Sequence, residues 1–148
     1  MDLLADLDPR LHVAKKTNRY IAAIIDYALL ITVYIITGLI FGEHYTEGNT
    51  FGVRIEGLPA LANIAVWFVL FPGAESINGQ TIGKMIMRVK VVKLDFSKSS
   101  FGNNLVRHLF DIIDYFPFFG IVGLIVASNN NLKQRVGDLV AKTIVIYK

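Results

Sequence analysis

The sequence predicts an all-α membrane protein: two transmembrane helices, a broken or re-entrant third helical unit, and a small cytoplasmic β-ribbon. Three observations carry this prediction. Of 148 residues 53% are hydrophobic, the mean hydropathy is +0.49, and the apolar residues are gathered in blocks, as in integral membrane proteins. The third apolar block is interrupted by Pro117 and Gly120 within "FPFFG". Residues 85–93 alternate apolar with basic side chains, the period of a strand. The length suits one domain, so residues 1–148 read as a single membrane unit.

Residues 1–18 form a polar lead-in. Asp2, Asp6 and Asp8 stand where a cleavable signal would be basic, so the first apolar block is expected to stay as an anchor. That first span covers residues 20–41, which at about 1.5 Å per residue crosses a hydrocarbon core of about 30 Å. Residues 42–57 are expected to be a loop. The second span, residues 58–74, starts with Pro59 in the first helical turn, where proline is tolerated, and is expected to close at Pro72-Gly73. In the strand at 85–93, Met85, Met87, Val89 and Val91 share one face and Arg88 and Lys90 the other. "DFSKSSFGNN" supplies serine and asparagine caps for the third block, residues 104–128, broken near Pro117. The tail "TIVIY" reads as a second strand, so 142–147 is expected to pair with 85–93.

Lys and Arg counts set the orientation. Arg10, Lys15, Lys16 and Arg19 precede the first span, and Arg54 alone lies between the first two. Lys84, Arg88, Lys90, Lys93 and Lys98 follow the second. The N terminus and residues 75–103 are therefore expected in the cytoplasm, in a multi-pass protein of the plasma (inner) membrane. A single crossing by the third block would leave Lys133, Arg135, Lys142 and Lys148 outside. A re-entrant block returns them and brings both termini to one side, provided that protein shields its broken backbone.

The charged residues inside the apolar blocks ask for a reason. "RYIAAIIDY" at 19–27 recurs as "RHLFDIIDY" at 107–115, with Arg and Ile-Ile-Asp-Tyr at matching places, 88 positions on. Arg19 and Asp26 share a helix face, as do Arg107, Asp111 and Asp114. An aspartate at a helix centre costs about 2.5–3.5 kcal/mol, against roughly 0.3–0.6 gained per large aliphatic residue. Intramembrane ionisable groups commonly mark ion or proton routes. Asp26, Asp111 and Asp114 are thus candidate ion- or proton-binding carboxylates, with Arg19 and Arg107 as counter-charges. One cluster is expected, Arg19 pairing with Asp114 or Asp111 and Arg107 with Asp26. The alternative is a lattice that only fixes helix packing.

Other chemistries find little support. No nucleophile–base pair can be assembled, so no enzyme is expected. There are no cysteines, and His12, His44 and His108 lack ligand spacing, so neither metal nor cofactor is expected. "GQTIGKM" fails the phosphate-loop pattern, because only three residues separate Gly79 from Gly83 and Met85 follows Lys84. The net charge of +3, clustered beside the apolar blocks, suits anionic lipid headgroups and not nucleic acid. Thr32 and Asn63 are mid-span polar groups expected to join helices.

Several of these stretches, in this order, resemble the RDD family of membrane proteins. They are Arg19 with Asp26, "GQTIGK" (Gly79, Thr81, Gly83, Lys84), "VKVV", "RHLFDIID", and "QRVGDLVAKTIVI" with Arg135 and Asp138. The family is named for one arginine and two aspartates. Arg19 and Asp26 stand at the first two places, and the third falls on Asp111, Asp114 or Asp138. Lys142 stands where a small residue is common. The resemblance implies transport of unidentified ligands, with monovalent cation/proton antiport in some members. A transporter or transporter subunit for Na⁺ or H⁺ is therefore expected, with membrane lipids and further copies of the chain as partners. The alternative is a non-transporting accessory or scaffold protein that binds lipid or a partner protein.

Overall fold

The computed structural model describes residues 13–115 and 120–148. The acidic start, Arg10, His12 and the expected break at Pro117 lie outside the described residues. Helix α1 spans Lys16–Phe41. Helix α2, Gly57–Asn78, begins with Pro59 in its first turn. Both are long and apolar enough to cross a membrane, and only 17% of each apolar stretch is buried in the chain. Ile24, Ile31, Leu61 and Val69 are among the large side chains left uncovered. Thr37 reaches Asn63 at 3.1 Å and joins the two helices, whereas Thr32 bonds the carbonyl of Ala28 in its own helix.

Two expectations about this region are corrected. The second helix does not close at Pro72-Gly73. Proline lacks an N–H, and a wider π-helical turn over Val69–Gly73 absorbs that loss, so the helix resumes over Ala74–Asn78. The Ser76 hydroxyl donates to the Pro72 carbonyl across the turn. The loop at 42–57 is a hairpin of β1, Glu43–Glu47, and β2, Thr50–Arg54, turned at Gly48-Asn49. Gly48 has φ +59, which glycine adopts without strain.

Helix α3, Ile82–Ile86, leads into β3, Val89–Lys93. The expected strand at 85–93 is therefore half right. Thr81 caps Lys84 N–H and starts a helical turn, which leaves Met85 exposed in α3, while Val89 and Val91 are buried as expected. The third unit consists of α4, Phe101–Leu109, α5, Asp111–Tyr115, and α6, Ile121–Ser128. Ser100 and Asn103 form the capping box of α4. Helix α7, Val136–Ala141, and strand β4, Thr143–Tyr147, complete the chain.

Strands β3 and β4 pair antiparallel, Val89 with Tyr147 and Val91 with Val145. Val13 bridges Ile146, so the first described residue and the last strand share one sheet. The third unit also turns back toward it. Asn103, in α4, donates to the Ala141 carbonyl at 3.0 Å, and Ser128, ending α6, accepts from Lys16 Nζ at 2.6 Å.

The structure reveals a second repeat. Residues 80–93 and 134–147 adopt the same path, 54 positions apart. Gln80 and Gln134 each donate to the carbonyl nine residues on, Val89 and Thr143, both at 2.8 Å. Gly83 matches Gly137, and Arg88 and Lys142 both take φ 53. Val91 pairs with its own counterpart, Val145, so a local two-fold relates the strands. The chain is thus two unequal halves, each with an Arg…Asp helix, a returning helix, a short glycine-containing helix and a strand.

Candidate functional site

Asp26 lies mid-way along α1, buried at 5% exposure. Its Oδ1 accepts from Gly83 N–H at 2.7 Å and its Oδ2 from the Thr81 hydroxyl at 2.5 Å. Asp114 repeats the arrangement in the second half, accepting from the N–H groups of Val136 and Gly137, both at 3.0 Å. Each aspartate therefore binds the start of the short helix in its own half, where N–H groups have no partner within the helix. The glycines allow the approach. A Cβ on Gly83 would collide with the Ala22 carbonyl, and one on Gly137 would lie 2.6 Å from the Arg107 carbonyl.

The expected pairing of Arg107 with Asp26 is corrected: among the described residues Asp26 makes no ion pair, because its oxygens are taken by α3. Arg19 pairs with neither Asp111 nor Asp114. It binds Asp138 and the Lys133 carbonyl, while Asp111 is taken by Arg135 and His108 and Asp114 by the N–H groups of Val136 and Gly137. Arg107 spans Glu75 and Asp138, both at 2.8 Å. Arg135 meets Asp111 at 2.8 Å and stands 3.7 Å from Asp114. Lys84 holds Glu75 at 2.6 Å. His108 reaches Asp111 through Nδ1 at 2.8 Å and faces Glu75 through Nε2 at 3.2 Å.

Arg19, Arg107, Asp111 and Asp114 thus share one network, linked by residues that the sequence offered only as motif (Arg135, Asp138) or not at all (Glu75, His108). Glu75 is explained by a flaw in the duplication. Lys84 occupies the place that Asp138 has in the second half. Arg19 finds the carboxylate of Asp138, but Arg107 would find a like charge. Glu75 stands between Arg107 and Lys84 and pairs with both. Removing buried charges from water costs several kcal/mol each, so the pairing is obligatory.

A cavity of about 20 Å³, room for the centre of one water molecule, lies among Asp26, Lys84, Arg107, His108, Asp111 and Arg135. The Tyr27 hydroxyl donates to Asp111 at 3.0 Å beside it. The rings of Phe71 and Trp67 stand edge-on to His108, with centroids 5.2 and 6.3 Å away. On the ribbon side, burial pushes the Asp138 carboxyl up, but Arg19, Arg107 and Arg135 together hold it well below the usual carboxylate range. Gly79, with φ +72, ends α2 and accepts from Val91 N–H at 2.7 Å, which ties the helix to the ribbon. "GQTIGK" is therefore a structural turn that presents Thr81 and Gly83 to Asp26 of α1 and Lys84 to Glu75 of α2. Among the described residues no group of three or more His, Cys, Asp or Glu is arranged to hold a metal ion.

No curated protein and no solved structure matches the chain. The family model described as the RDD family matches residues 13–142, from the first bridge of the ribbon through Arg19, Asp26 and the glycine turns to the end of α7. The chain belongs to the RDD family.

Proposed function

We propose that this protein is a carrier, or a carrier subunit, for a small monovalent ion, that the ion best suited to its site is the proton, and that it is not an enzyme. The observation behind this reading is the buried network around the 20 Å³ cavity, set beside two apolar helices. Ionisable groups in such a setting are costly and commonly mark ion routes. The cavity is too small for an organic solute. Asp26 and Asp114, with both oxygens occupied, serve in this reading to fix the two short helices that frame it. The Lys and Arg distribution favours a multi-pass protein of the plasma (inner) membrane with the ribbon in the cytoplasm. The uncovered apolar faces of α1 and α2 suit lipid and further copies of the chain, and a homo-oligomer would complete a path that three helical units alone cannot enclose.

The test is proton flux in proteoliposomes with a trapped pH-sensitive dye, driven by a valinomycin-imposed K⁺ diffusion potential. The purified protein should acidify the lumen faster than protein-free vesicles do, and Glu75→Gln should abolish the difference. Flux equal to that of empty vesicles overturns the reading. A second reading, an accessory protein that scaffolds a partner, draws on the hairpin Glu43–Arg54. Phe51 there is 83% exposed, and Tyr45 and Val53 are exposed beside it.

A further inference from the structure

We propose that His108 holds the exchangeable proton of this site, between Glu75 and Asp111; the inference deepens the carrier reading and names its titrating group. The first argument is stereochemical. Both ring nitrogens face carboxylate oxygens, Nδ1 at 2.8 Å from Asp111 and Nε2 at 3.2 Å from Glu75. A neutral imidazole has one N–H and one lone pair, so either tautomer turns a lone pair on a carboxylate. The imidazolium turns an N–H on Asp111 and sets its second N–H beside Glu75, where Nε2 lies within ion-pair distance but makes no aligned hydrogen bond. The ring is 4% exposed and the cavity beside it has room for the centre of only one water molecule, so bulk water cannot relieve the mismatch.

The second argument is a count of formal charge. Five carboxylates are buried in this region: Asp26, Glu75, Asp111, Asp114 and Asp138. Four cations face the last four, Lys84, Arg107 and Arg135, all buried, and Arg19, whose side chain is 11% exposed, while Asp26 is met by a hydroxyl and an N–H. One positive charge is missing, and among the described residues His108 is the group placed to supply it. These charges reach the ring from every element around it. Glu75 comes from α2, Asp111 and Asp114 from α5, Arg135 from the cap of α7 and Asp138 from α7 itself. Arg107 shares its helix, while Lys84 of α3 and Asp26 and Arg19 of α1 lie across the cavity. Duplication adds a third argument. The counterparts of His108 and Asp111 are Tyr20 and Ala23, so the pair belongs to what one half has and the other lacks.

On release, one N–H bond of the imidazolium breaks and H⁺ leaves to water or a neighbouring carboxylate oxygen. The ring keeps one N–H and regains a lone pair; release to water leaves the site with one positive charge fewer, and transfer to a carboxylate leaves its net charge unchanged. Uptake reverses this, with no other bond changed.

The experiment uses the full chain carrying His12→Asn and His44→Asn, so that His108 is its single histidine, ¹⁵N-labelled and reconstituted in lipid nanodiscs. The imidazole ¹⁵N spectrum is followed between about pH 5 and pH 8, the range in which histidine charge ordinarily changes. The expected result is two protonated ring nitrogens at the acid end and loss of one proton per chain as pH rises. One N–H at every pH would overturn the proposal, and so would two at every pH, since a fixed charge exchanges nothing. The same preparation in proteoliposomes separates the two readings. A titrating His108 without flux removes the carrier reading and keeps the proton site, whereas flux with a silent His108 does the reverse.

Discussion

The Arg19–Asp138 pair can be separated from the Arg19–Asp26 spacing by two double-mutant cycles. Asp138 is fully buried, accepts from Arg19 and from Arg107 Nε at 2.8 Å, and takes the Arg135 N–H at 3.2 Å. Asp138→Asn keeps the shape but leaves Arg19 without its carboxylate and Arg107 with Glu75 alone, and removing one partner of a buried ion pair costs about 3–5 kcal/mol. Against a total stability of about 5–15 kcal/mol, that loss is readily measured. Arg19→Gln is milder, because its side chain is partly exposed at the end of the network. The Arg19→Gln/Asp138→Asn cycle should give a coupling of about 0.5–3 kcal/mol, and the Arg19→Gln/Asp26→Asn pair should be additive within about 0.5 kcal/mol. Unfolding in mixed micelles can be followed by Trp67, the single tryptophan, which stacks on Phe71 at 6.2 Å beside His108. Equal coupling of Arg19 to both aspartates would refute the assignment of partners.

Three other outcomes follow from the geometry. Because the Asp138 pKa is depressed on folding, its contribution is present above the unfolded carboxylate value, near pH 4, and is lost as pH falls through the lower folded value. Acid unfolding curves should therefore be flatter for Asp138→Asn below about pH 4. Gly83→Ala and Gly137→Ala should each cost about 1–3 kcal/mol by pressing a methyl group onto a helix backbone, seen as a lowered Tm. Phe51→Ser, at an exposed hairpin position, should change stability by less than about 0.5 kcal/mol in micelles.

Much of the fold was legible because its signals are local and repetitive. The apolar run of α1, the capping box at Ser100 and the pairing of the last strand all rest on composition or period. The misses have physical causes. Proline usually ends a helix, and the π turn that rescues α2 leaves no mark in the sequence, so Glu75 seemed to lie beyond the span. The hairpin at 43–54 has no buried face and hence no apolar alternation, although its Gly-Asn turn was a usable sign. The second repeat keeps only Gln, Gly and Val identities, because its contacts run through backbone carbonyls that most side chains tolerate. Asp26 lies buried within the first apolar run, but its partners are a hydroxyl and an N–H, which no count of charges can anticipate.

The π turn has one more effect on α2. Between Asn63 and Glu75, an uninterrupted α-helix would advance by about 120° beyond whole turns. The extra residue held by an i→i+5 turn takes about 100° of that back, which leaves the two within about 20° of one side. Asn63 meets α1 at Thr37, and Glu75 meets Lys84 and Arg107. Val69–Gly73 thus acts like a shift of reading frame within a helix. It lets one rod answer two neighbours whose preferred phases disagree. Straightening that turn into regular α-helix with every residue kept would leave hydropathy and helical length nearly unchanged, yet it would swing Glu75 by about 100° away from its partners, whereas loss of one residue there would remove the turn and keep Glu75 in phase.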